Sequence, residues 1–100
     1  MRVALIQMSV TADRARNITA ACQHIRRAAE GGADMAVLPE MFCCPYDNGC
    51  FRAYGEEAGG PAQTALSKAA AELGLYVVGG SLPELEGGRV YNTSYVYGRQ

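Results

Sequence analysis

Apolar positions change their period along the chain, and the changes mark its elements. Val3-Ala4-Leu5-Ile6-Gln7-Met8 is nearly continuous, the pattern of a strand buried on both faces. Thr11 and Asp13 then offer capping oxygens ahead of a segment in which Ile18, Cys22, Ile25 and Ala29 recur at helical spacing. Gly31-Gly32 ends that helix, and Met35-Ala36-Val37-Leu38, closed by Pro39, reads as a second strand. Residues 41–60 show no clear period and read as an irregular excursion containing at most a helical turn; loops of this length in compact domains usually carry function. Pro61 opens a second helix with Ala62, Leu66, Ala69 and Leu73 as its stripe and Gly74 as its stop. Leu75-Tyr76-Val77-Val78 is a third strand. After a turn at Glu86-Gly87-Gly88-Arg89, Val90 to Tyr97 reads as a fourth. Strand, helix, strand, helix, strand is an α/β unit with parallel strands.

Composition narrows the function classes. The 100 residues suit one small domain, and 49% hydrophobic against 19% charged residues is a globular balance. A formal net charge of −1 gives no long-range field for nucleic acid or an anionic membrane surface. No apolar run reaches the roughly 18 residues that span a bilayer, and none near the start resembles a secretory signal. The expectation is a cytoplasmic protein with its four cysteines reduced.

In open α/β sheets, ligands collect beyond the carboxyl ends of the strands, which selects residues 7–10, 39–46 and 79–84. Glu40 stands out, because it follows a buried strand directly and Pro39 fixes the backbone that presents it. A carboxylate held among Leu38, Met41 and Phe42 would be partly desolvated and so a stronger base; the alternative is a carboxylate that caps nearby loop amides. Cys43, Cys44 and Cys50 lack the paired short spacing of a zinc site, so no metal is expected. A nucleophilic Cys43 or Cys44 beside Glu40 has no nearby cation to stabilise a thiolate. Cys22 fits the helix stripe as a packed thiol, and His24 sits at its solvent flank. Gly79-Gly80-Ser81 matches no nucleotide fingerprint and fits a crowded strand end instead. Tyr91, Tyr95 and Tyr97 alternate along one strand face, as sheet packing would have them.

Taken in order, Gln7, Asn17, Gly32-Ala33-Asp34, Val37-Leu38-Pro39-Glu40-Met41-Phe42, Pro45-Tyr46, Gly79-Gly80-Ser81-Leu82-Pro83-Glu84 and Tyr91-Asn92-Thr93-Ser94 resemble the start of the nitrilase superfamily, the carbon–nitrogen hydrolases. The likeness is greatest to the omega-amidase branch and covers the whole chain. It implies the N-terminal half of a four-layer αββα sandwich, with residues 1–100 as the N-terminal portion of a single hydrolase domain. It further implies hydrolysis of small amides by a Glu–Lys–Cys triad without metal or organic cofactor, and a homodimer when full length. Glu40 matches the glutamate of the triad. Phe42 and Tyr46 become candidates for the pocket wall, with Glu84 and Asn92 behind them. Lys68, the only lysine, and the four cysteines match neither the family's lysine nor its nucleophile. The chain is therefore expected to be inactive alone. The competing expectation is a truncated, non-catalytic product that binds a partner through an exposed sheet edge.

Overall fold

The computed structural model describes residues 1–99. Three parallel strands, β1 (Val3–Leu5), β2 (Met35–Val37) and β3 (Tyr76–Val78), lie side by side, and the short β6 (Val96–Tyr97) pairs antiparallel with β3. Helices α1 (Arg14–Glu30) and α3 (Pro61–Leu73) follow β1 and precede β3. A hairpin of β4 (Leu82–Glu86) and β5 (Arg89–Thr93) forms a separate two-stranded sheet, and α2 (Asn48–Tyr54) lies within the excursion.

Strand alternation decides which side chains meet the helices. Ala36 and Val77 face Ala21 and Ile25 of α1 and Ala62, Leu66 and Ala70 of α3 in one core. The α1 stripe is thus rotated from the expected one: Asn17, Ala21 and Ile25 are buried, while Ile18 and Ala29 flank the core. The opposite face of the sheet is open. Register places Val3, Met35 and Tyr76 in one row and Leu5, Val37, Val78 and Val96 in the next. Val3, Leu5 and Val96 are 49%, 78% and 65% exposed. The first strand is therefore covered on one face rather than two, because both packing helices lie on the same side.

Two further expectations are corrected. The expected last strand, Val90 to Tyr97, is two strands, because Ser94-Tyr95 carries the chain from the hairpin to the main sheet, where the Tyr95 carbonyl accepts from Gly79 N at 2.7 Å. Tyr91 consequently stands apart, while Tyr95 and Tyr97 stack on each other at 6.1 Å. Leu82–Glu86 also forms a strand that the pattern, interrupted by Pro83, did not reveal. No described helix is long and apolar enough to cross a membrane.

The N-terminus of α3 has an unusual cap. Its N-cap, Gly60, has no side chain to offer, and the buried Glu56 carboxylate takes that role. Its Oε1 accepts from Ala62 N and its Oε2 from Gln63 N, both at 3.1 Å. A carboxylate at this end also meets the positive end of the helix dipole. The Glu56 backbone is pinned against β4 by bonds to Pro83 O (3.1 Å) and from Leu85 N (2.8 Å), so one residue joins hairpin to helix. Replacing Glu56 by Ala removes the cap and leaves two buried donors unpaired. The expected loss is about 2 kcal/mol, read as a lower urea midpoint, with Glu56→Gln intermediate.

Candidate active site

Glu40 sits in the turn that leaves β2, and one other segment, Gly80-Ser81, braces that turn. Gly80 adopts φ +57°, and a Cβ there would lie 2.1 Å from the Pro39 carbonyl oxygen and 2.8 Å from that of Leu38. Only glycine lets these backbones approach so closely. The next residue, Ser81, receives a hydrogen bond from Met41 N on its Oγ (3.1 Å) and another from Phe42 N on its carbonyl (3.3 Å). Met41 is the only described non-glycine residue at positive φ, +54°, so the chain bends sharply just past Glu40. Replacing Gly80 by Ala combines a left-handed backbone with a backbone clash. We expect a loss of about 2–4 kcal/mol in chemical denaturation.

The bend separates Glu40 from its neighbours. Leu38, Met41 and Phe42 turn inward, and the Glu40 carboxylate is exposed. The expected desolvation by those three residues is thus corrected: within this chain they pack beneath the carboxylate and leave it in solvent. Its one described side-chain partner is Asn92 of β5, whose Nδ2 donates to Oε2 at 2.7 Å. Phe42, expected at the pocket wall, is also corrected, since it is fully buried in the core with Leu38, Leu66 and Leu82.

Beside Asn92 opens a cavity of about 340 Å³ whose walls include Met41, Tyr46, Phe51, Arg52 and Tyr91. Tyr46 is 70% exposed and meets Phe51 edge to face at 5.5 Å. Phe51 and Arg52 belong to α2, and no apolar period marks either as a wall of this cavity. Their signal was Asp47, whose side chain accepts from Gly49 N and caps α2. Arg52 anchors to the hairpin turn, donating to Gly88 O at 3.2 Å. Glu84 is placed elsewhere: its carboxylate accepts from the Tyr95 hydroxyl at 2.6 Å, and no described hydrogen bond links it to Glu40.

The thiols near this turn are not poised to react. Cys43 and Cys44 are buried. Burial pushes the Cys43 thiol up to about 12, aided by Cys44 and Glu56, and burial also raises Cys44. Lys68 pairs with Glu72 at 3.8 Å on α3 and, with Cys22, lines a separate groove between α1 and α3. Among the described residues no cluster of His, Cys, Asp and Glu could hold a metal. Iodoacetamide at pH 8 should leave Cys43 and Cys44 unlabelled until the chain unfolds, as peptide mass spectrometry would show. The folded state holds the Cys43 proton to about 12 against an ordinary 9.0. This stabilisation is complete below pH 9.0 and is lost as pH rises towards 12, a slope in alkaline melting that Cys43→Ala should reduce.

The chain is similar in sequence and fold to known proteins. The omega-amidase NIT2 of Bos taurus is 43% identical over 97 residues, covering 97% of this chain and 35% of that protein. The chain thus spans about a third of the length of such relatives. Among solved structures, Saccharomyces cerevisiae Nit3, a member of branch 10 of the nitrilase superfamily, superposes with a TM-score of 0.88 at 33% identity, covering 97% of this chain and 39% of that one. A glutamate-to-leucine variant of the amidase from Nesterenkonia sp., with the acetamide moiety of fluoroacetamide on its active-site cysteine, gives 0.82 at 25% identity, covering 99% and 38%. Residues 2–100 match the carbon-nitrogen hydrolase family, and with its nitrilase-superfamily fold the chain belongs to that family.

Proposed function

We propose that this chain carries the general base, Glu40, of an amidase that hydrolyses small carboxamides to a carboxylate and ammonia, in the manner of an omega-amidase. The observation that carries the reading is the presentation of Glu40. Its turn is locked by Gly80 and Ser81, its carboxylate is held by Asn92, and a cavity opens beside that pair. Several kinds of carboxylate could cap a loop, but this one is exposed and accepts no described backbone amide, so capping does not account for it.

In the proposed reaction Glu40 takes the proton of a cysteine thiol, and the thiolate attacks the amide carbon. A lysine ammonium stabilises the oxyanion that forms. Glu40 then passes its proton to the nitrogen as the C–N bond breaks, ammonia leaves, and a thioester remains. Glu40 next removes a proton from water, whose oxygen attacks the thioester carbon. The C–S bond breaks, Glu40 returns its proton to the thiol, and the carboxylic acid is released and loses its remaining proton to solvent. The acetamide adduct on the Nesterenkonia amidase supports a cysteine nucleophile for the reading. Neither the buried Cys43 and Cys44 nor the ion-paired Lys68 fits these roles. Tyr46, at the cavity, is the residue proposed to contact substrate.

The reading of the chain as an edge-binding module has less support. The edge strand β6 is only two residues long, a poor template for strand addition. In the full-length enzyme, Glu40→Gln should leave folding intact and slow acylation about 100-fold or more, followed by mass spectrometry of the protein mixed with a small carboxamide. Acylation at the parent rate would exclude Glu40 as the base.

A further inference from the structure

The bond from Asn92 to Glu40 joins segments 52 residues apart. β5 pairs only with β4, in a sheet separate from the strand that leads into Glu40. The Asn92 side chain is exposed and makes no other described hydrogen bond, so it contributes nothing to the core. Its amide instead donates to the Glu40 carboxylate, while Asn92 and Met41, the residue after Glu40, both line the cavity.

We propose that Asn92 is a positioning residue for Glu40. This rests on the reading of Glu40 as the base and deepens it. A glutamate on an exposed turn has three rotatable side-chain bonds, and proton transfer needs one arrangement within hydrogen-bond reach of the reacting atom. The donor at 2.7 Å, short as charge-assisted bonds are, occupies Oε2. Oε1 is thereby left as the oxygen that takes the proton. The turn fixes where the Glu40 backbone lies, and Asn92 fixes where its carboxylate points. Pro83, opposite Asn92 in the hairpin register, is fully buried, so the strand that supports the amide is itself anchored.

Two substitutions separate this role from simple packing. Asn92→Asp keeps the size and shape but turns the donor into an acceptor facing a carboxylate. Asn92→Ser is smaller but keeps a hydroxyl donor. Positioning predicts that N92D loses about tenfold or more in kcat with KM within about twofold, and that N92S retains more activity than N92D. A packing role predicts the opposite order. The measurements are steady-state hydrolysis of a small carboxamide by the full-length enzyme and melting temperatures of each variant. N92D within twofold of the parent kcat, or N92S falling below N92D, overturns the proposal while the reading of Glu40 stands. A full-length parent enzyme that hydrolyses no small carboxamide overturns both.

Discussion

The contact of the Gly80 backbone with the Pro39 carbonyl is the constraint on which the site depends. A residue with a Cβ could not stand there, because the oxygen would lie 2.1 Å away. With glycine in place, the loop leaving β3 can lie against the turn leaving β2. Ser81 then meets the amides of Met41 and Phe42 with its hydroxyl and its carbonyl. Those bonds hold Met41 in its left-handed conformation, which turns Phe42 inward and Glu40 outward. Stability and presentation thus come from one arrangement: the same bend seats a core aromatic and exposes a carboxylate. Backbone strain of this kind persists only where surrounding bonds over-determine it.

The irregular stretch between β2 and α3 is held by polar ties rather than by a ladder, as backbone without regular pairing requires. Buried Asn17 donates to Cys43 O at 3.1 Å and exchanges bonds with Thr11 in both directions. The Tyr54 hydroxyl donates to Ala12 O at 2.6 Å, and Arg14 donates back to Tyr54 O at 3.1 Å. At the far end, Glu56 bridges β4 and the start of α3. The N-terminus of α1, the excursion and the hairpin are therefore one connected network. The excursion also supplies Tyr46, Asn48, Phe51 and Arg52 to the wall of the cavity that Asn92 lines.

Much of the fold was legible because hydrophobic period is a local signal. The three parallel strands appear as short, nearly continuous apolar runs, and both long helices as apolar residues recurring near 3.6. Pairings that depend on distant residues were not legible. Pro83 disguised β4, since proline reads as a strand breaker, although its missing donor is harmless in a two-stranded sheet. The tyrosines after Val90 read as one strand because nothing local marks where a chain changes sheet. Glu40 could be singled out by its place after a buried strand and by family resemblance, but its surroundings could not. A positive φ at Met41, which sends Phe42 into the core, is no property of the residues LPEMF taken alone. Glu56 was missed for a related reason: it caps a helix from outside the local capping window, across Gly60.

The exposure of Glu40 comes from the bend at Met41, and the open sheet face comes from strand alternation. Strand alternation sends Ala36 and Val77 to the helices and Val37 and Val78 to the other side. Since α1 and α3 cover only the first set, the second presents a nearly unbroken apolar surface that runs across all four strands. Apolar surface on this scale is what sheet-on-sheet packing buries. In a four-layer αββα fold it is the face that meets the second sheet, so helices on one side and an apolar sheet on the other make this chain a matched pair of layers. Glu40 lies just past β2, where that surface ends at the carboxyl edge of the strands. The geometry that presents it is local, set by Gly80, Ser81 and Asn92. The apolar side chains of Leu38, Met41 and Phe42 are committed to the core, which leaves Glu40 exposed.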